Sequence, residues 1–149
     1  AYHWANAYIL CASSQNYVNG YTDGSFRPDQ SMTRSEFITV LYRYLSNNRI
    51  PLSHVTVSAF RDVPKDSGVW YAQALYTLGN AGIVSGDEAG NFNPNAPITR
   101  AQAIAMLNRM FGRRSSPDSL MMLRRFTDTG RSLWYFRDIQ GAAISHYDK

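Results

Sequence analysis

Cysteine is nearly absent from this chain: Cys11 stands alone among 149 residues. No internal disulfide and no cysteine cluster for zinc can form. Its place in an apolar pattern with Tyr8 and Ala12 predicts a buried, inert thiol. Lysine is almost as scarce. Lys65 and Lys149 are the only two, so arginine carries nearly all of the positive charge behind the formal net charge of +4. Arginine suits bidentate contact with carboxylate or phosphate. Its density peaks at Arg113, Arg114, Arg124 and Arg125, but no nucleic-acid motif accompanies it. No window holds an apolar run long enough to span a membrane, and no signal peptide is visible. His3, His54 and His146 share no metal-ligand spacing. The stretch "DGSFRPD" resembles a calcium loop only superficially, because Phe, Arg and Pro occupy places that alternating oxygen ligands need. Carboxylates are sparse and no nucleophile–base arrangement is present. The reading is therefore non-catalytic, without metal or cofactor. The abrupt start "AYHWANAY" is read as that of a fragment of a larger protein.

What is present is a repeat. Trp4 to Trp70, Gly20 to Gly86, Gly24 to Gly90, Phe26 to Phe92, Pro28 to Pro94, Thr33 to Thr99 and Arg34 to Arg100 are each separated by 66 positions. "FRD" at Phe60–Asp62 returns as "FTD" at Phe126–Asp128 with the same step, and Trp70 is followed by Trp134 after 64. Internal periodicity of this kind marks repeat architecture. The expected units are repeat one at 1–45, truncated at its start, and a linker at 46–59. Repeat two, the complete one, follows at 60–112, then a basic linker at 113–125 and a partial or degenerate repeat three at 126–149.

Each copy reads as helix, loop, helix. The first helix follows the tryptophan, with stripes at Tyr71, Ala74, Leu75 and Leu78, and at Ala5, Tyr8, Ile9 and Ala12. The loops "GYTDGSFRPDQSM" and "GDEAGNFNPNAPI" are rich in turn formers, with Phe26 and Phe92 placed to plug them onto the helices. The second helix begins at a capping box, Thr33 with Glu36 and Thr99 with Gln102. Apolar residues follow on one face: Phe37, Val40, Leu41, Tyr44 and Leu45 in one copy, Ala103, Met106, Leu107, Met110 and Phe111 in the other. One such pair buries too little to stand alone, so the copies must stack. The box leaves Arg34 and Arg100 unexplained. A cation in the first helical turn opposes the helix dipole by about 0.3–1 kcal/mol. Free N–H groups beside a guanidinium would make an anion site. The plainer alternative is an exposed arginine or one paired with a carboxylate.

The ordered set "W-x-x-x-A…G-Y-x-D-G-x-F-R-P-x-x-x-[MI]-T-R-[SA]-E-F" resembles the S-layer homology repeat over nearly the whole chain. The resemblance implies an all-α fold of tandem helix–loop–helix repeats packed about a pseudo-threefold axis. It implies a domain at the bacterial cell wall or S-layer, outside the cell, that anchors a cargo domain elsewhere in the parent chain. The implied ligand is a secondary cell-wall polysaccharide with carboxylate groups, commonly a pyruvate ketal on an amino sugar. Neither nucleic acid nor membrane insertion is implied. Family grooves lie between neighbouring repeats. They pair Arg34 with Asp62 and Trp70, and Arg100 with Asp128 and Trp134; Trp4 is the equivalent tryptophan of copy one.

Other roles stand beside these. Each Trp suits packing as well as sugar stacking, and Asp62 and Asp128 suit turn or cap roles. Copy two reads "GDEAG" where copy one reads "GYTDG", so Ala89 stands where Asp23 stands. In copy three Asp138 replaces the position of Ala74, and no Thr-Arg motif is reached. A module for protein interaction or structure in surface-layer assembly is the alternative function.

Overall fold

The structure is a computed structural model, and it describes residues 3–52 and 60–112. The chain divides into two units, residues 1–97 and 98–149. The described elements are four helices, α1 (Asn6–Ser14), α2 (Arg34–Asn47), α3 (Ala72–Asn80) and α4 (Arg100–Met110). Among the described residues there is no strand, and the isolated bridge between Thr33 and Pro97 is the extent of β pairing. The fold is all-α, as expected.

The helix starts lie where the capping boxes place them. The Glu36 N–H donates to Thr33 Oγ1 at 3.2 Å, while Glu36 Oε2 accepts from the Thr33 N–H at 2.9 Å. The Gln102 N–H and the Thr99 N–H repeat this reciprocal pair, both at 3.2 Å. Two first-turn donors are satisfied in each case. At the far ends of α1 and α3, Asn16 and Gly82 hold positive φ at the same repeat position (57° and 72°), ending the helices.

In the first unit, α2 of copy one packs on α3 of copy two. Ile38, Leu41 and Leu45 are buried on α2, and Ala74, Leu75 and Leu78 on α3. Phe60, Val63, Ile83, Val84 and the fully buried Phe92 complete this core. The core thus joins two repeats, which is how a helix pair too small to fold alone acquires apolar cover. The buried line on α2 runs through Ile38, with Phe37, Val40 and Tyr44 half-buried at its edge. Phe92 plugs loop two; Phe26 is half-buried in loop one.

The expected stripe on the first helix of copy one is not buried. α1 contains no buried residue, and Tyr8 and Leu10 are exposed. Cys11 is likewise exposed, correcting the expectation of a buried thiol. The physical reason is packing: α3 lies against α2, whereas α1, with similar apolar content, buries none of its side chains among the described residues.

Candidate functional site

The two loops share one backbone design. The N–H of Tyr21 donates to the Ser25 carbonyl at 2.7 Å, and the N–H of Asp87 to the Asn91 carbonyl at 2.9 Å. A Cβ on Gly20 or Gly86 would stand 2.7 or 2.8 Å from those same oxygens, so glycine is required there. Gly24 and Gly90 turn the chain at φ near +80°. Arg27 and Asn93 take the left-handed conformation, at 56° and 57°.

A carboxylate locks each loop, but from different places. In loop one, Asp23 accepts from the Ser25 hydroxyl (2.6 Å), the Ser25 N–H (2.9 Å) and Arg27 Nη2 (2.8 Å). These hydrogen bonds, Ser25 first and Arg27 after it, hold the Asp23 carboxyl well below its ordinary value. In loop two, Asp87 accepts from the Asn91 N–H and from the Asn93 amide, both at 2.8 Å, and these bonds lower its pKa as well. The missing carboxylate at Ala89 is thus supplied two residues earlier, and it reaches the same two loop positions.

Asp62 performs a third lock. Its two oxygens accept the N–H groups of Phe92 and Asn93, each at 2.7 Å, and the N–H of Arg61 donates to the Gly90 carbonyl at 2.9 Å. The "FRD" motif therefore ties the start of repeat two to its own loop, with the Phe60 ring 5.6 Å from that of Phe92.

Arg34 has a local cause that the sequence did not reveal. It is 6% exposed. Its Nε donates to the Phe92 carbonyl at 2.7 Å and one Nη to the Ser85 carbonyl at 3.2 Å, while the guanidinium lies 4.8 Å from the centre of the Phe92 ring. Burial pushes its pKa down; the charges of Asp62 and Asp87 work in the opposite direction. The first-turn donors of α2 are also committed. The N–H of Arg34 goes to the Ala96 carbonyl, that of Ser35 to the Pro94 carbonyl, and that of Glu36 to Thr33. Arg34 and this helix start hold the second loop onto the first repeat.

Beside this clamp lies a groove of about 650 Å³. Loop one forms one wall through Asn19, Tyr21, Arg27 and Gln30. α2 forms another through Glu36, Thr39, Val40 and Arg43, and Trp70, just before α3, contributes from repeat two. Trp70 is 64% exposed and meets the Tyr71 ring edge-on at 5.2 Å. Inside the groove, the Tyr21 hydroxyl donates to Glu36 Oε1 at 3.2 Å and Gln30 donates to the Tyr21 oxygen at 3.3 Å. Burial, then the Glu36 charge, raises the Tyr21 pKa. The Arg27 guanidinium stacks 4.0 Å from the centre of the Tyr21 ring.

Of the residues expected at a site, the structure brings Trp70 to the groove and places Arg34 and Asp62 in the clamp, outside the groove's lining. Trp4 is 81% exposed, ahead of α1. Arg100 is exposed at the start of α4, in the second unit. Asp128 and Trp134 lie outside the described residues, as do Asp138, His54 and His146. Tyr21, Arg27 and Arg43 were not anticipated. A signal for Arg43 existed, since Arg109 follows it at the repeat step of 66. Among the described residues no group of His, Cys, Asp or Glu is arranged to hold a metal ion, and no helix is long and apolar enough to cross a membrane.

Comparison with known proteins agrees with the repeat. The chain is 33% identical over 145 residues to a cellulosome-anchoring protein of Acetivibrio thermocellus, an alignment that takes in 97% of this chain and 31% of that protein. It is 32% identical over 151 residues to cell surface glycoprotein 1 of the same organism, covering 97% of this chain and 6% of the other. It is 36% identical over 110 residues to an amylopullulanase of Thermoanaerobacterium thermosulfurigenes, covering 73% of this chain and 6% of that enzyme. The chain spans less than a third of the length of these relatives. The S-layer homology domain matches residues 1–38 and 59–104, more than half of the sequence. This chain belongs to the S-layer homology domain family.

Proposed function

We propose that this chain is a non-catalytic anchor that holds a bacterial surface protein on the cell wall by binding an anionic secondary cell-wall polysaccharide. It works outside the cell, at the wall or S-layer, with its cargo elsewhere in the parent chain. The observation that carries this reading is Trp70, a large aromatic left 64% exposed where a groove opens between two repeats. A side chain of that size normally contributes its burial to a core. Placed at the rim of a concave surface rich in hydroxyl and amide groups, it offers a stacking face for a sugar ring.

The relatives fit this reading. A cellulosome-anchoring protein, a cell surface glycoprotein and an amylopullulanase each match over less than a third of their lengths. Their common element is therefore a module separable from the rest of each protein. By repeat position Trp134 is the counterpart of Trp70 in copy three and Trp4 that in copy one, while Arg100 and Asp128 stand at the places of the clamp residues Arg34 and Asp62. A pyruvyl ketal or another sugar carboxylate is the charge that an arginine in the groove would select.

The test is co-sedimentation of the full chain with purified walls, before and after chemical removal of their sugar carboxylates. Binding to native walls and loss of most of it after removal is the expected result. Undiminished binding to the stripped walls would favour a protein or structural partner instead.

A further inference from the structure

We infer that Arg43 is the residue that reads the ligand's negative charge in the groove between loop one, α2 and Trp70. This deepens the anchoring reading above and rests on it. Four ionisable side chains line the groove: Tyr21, Arg27, Glu36 and Arg43. Three are already committed. Arg27 is paired with Asp23 at 2.8 Å and stacked on Tyr21. Glu36 accepts the Thr33 N–H with one oxygen and the Tyr21 hydroxyl with the other. Tyr21 is held between Glu36 and Gln30.

Arg43 differs. It is half-buried on α2, and among the described residues it forms no ion pair. One contact positions it. With the Asn19 amide oriented so that its nitrogen donates to the Val18 carbonyl at 2.9 Å, the Asn19 oxygen accepts from an Arg43 Nη at 3.3 Å. A guanidinium carries five N–H donors in a planar fork. Asn19 therefore steers Arg43 and leaves donors for a two-oxygen partner. The ligand class is a sugar bearing an oxyanion, with the ring on Trp70 and the oxyanion on Arg43. Carboxylate and phosphate both meet this description.

Arg34 is excluded from this role by its burial and its carbonyl partners. The recurrence of arginine at position 109 is accounted for if the same place on the second helix serves each repeat.

The experiment is a titration of the ¹⁵N-labelled full chain, following the Trp70 indole N–H, identified by its loss in Trp70→Ala. The probes are a pyruvyl-ketal N-acetylhexosamine glycoside, a glucuronide, a hexose phosphate, and the neutral parent glycoside. For the native chain, at least one oxyanion probe is expected to bind about tenfold or more tightly than the neutral parent. The ketal and glucuronide against the phosphate then tell which oxyanion is preferred. Arg43→Gln is expected to erase that preference, weakening the oxyanion probes about tenfold more than the neutral one. Arg43→Lys, which keeps charge and helix, should retain only part of it; it decides the matter if the Gln variant loses helicity. An unaltered preference for oxyanions in the folded Arg43 variants would overturn the inference while wall binding, and so the anchoring reading, stood. Equal affinity of the native chain for charged and neutral probes would also overturn it. Failure of the native chain to bind walls at all would remove the anchoring reading itself.

Discussion

The Nε of Arg34 donates to the carbonyl of Phe92 at 2.7 Å, across 58 positions of sequence, and the two residues belong to different repeats. The buried cation and the buried aromatic thus form one joint between copies, in which the carbonyl meets the charge and the ring covers it. Arg34→Ala would leave the buried Phe92 carbonyl without its Arg34 donor and would remove a second, part-buried bond to the carbonyl of the exposed Ser85. A buried carbonyl left unsatisfied costs about 1–3 kcal/mol, so a loss of about that size is expected by thermal or denaturant unfolding. Arg34→Lys should recover little, because an ammonium lacks the fork. Arg100→Ala, at the same repeat position but exposed, should change stability by about 0.5 kcal/mol or less. Equal losses at the two positions would contradict this division.

The capping boxes give a second expectation. Thr99→Ala removes the acceptor of the Gln102 N–H and should cost about 0.5–2 kcal/mol. Thr99→Ser should cost much less, since its hydroxyl still accepts.

Asp62 binds two backbone N–H groups at 2.7 Å, so Asp62→Ala should destabilise by about 1.5–3 kcal/mol through loop two. Hydrogen exchange at Phe92 and Asn93 should rise in this variant before exchange in the α2–α3 core does.

Acid should loosen both loops. Asp23 and Asp87 are held below their ordinary value of 3.8 in the folded chain. The stability they contribute is therefore fully present above that value and is lost as pH falls below it toward their folded values. Asp87→Asn should flatten this part of the acid profile, and unfolding midpoints measured between neutral pH and about pH 3 would show it.

Much of the frame was legible in the sequence because it is written in local chemistry. Thr-x-x-Glu and Thr-x-x-Gln fixed the two helix starts, the 66-residue step fixed which loops are alike, and Trp70 was singled out and stands at the groove. Arg34 was singled out as well, but its partners are backbone carbonyls. Every residue carries one, so no pattern of side chains could announce Ser85 and Phe92. Asp87 was missed for a related reason. The loop needs a carboxylate at one point in space, and two different sequence positions reach it. The stripe on α1 misled because periodicity reports which face is apolar, not whether another helix covers it.

Cys11 offers a simple check of that last point. An exposed thiol should react with a water-soluble maleimide or disulfide reagent at a rate close to that of the unfolded chain. Protection by orders of magnitude would mean that α1 is covered.

The central claim is that the exposed indole at position 70 binds wall sugar rather than supporting the fold. The most direct test measures wall binding and unfolding together for Trp70→Ala. The account predicts a loss of about 1.4–2.7 kcal/mol in wall affinity, some ten- to hundredfold, with the unfolding midpoint nearly unchanged. Wall binding equal to that of the native chain, or a collapse in stability that accompanies the loss, would contradict it.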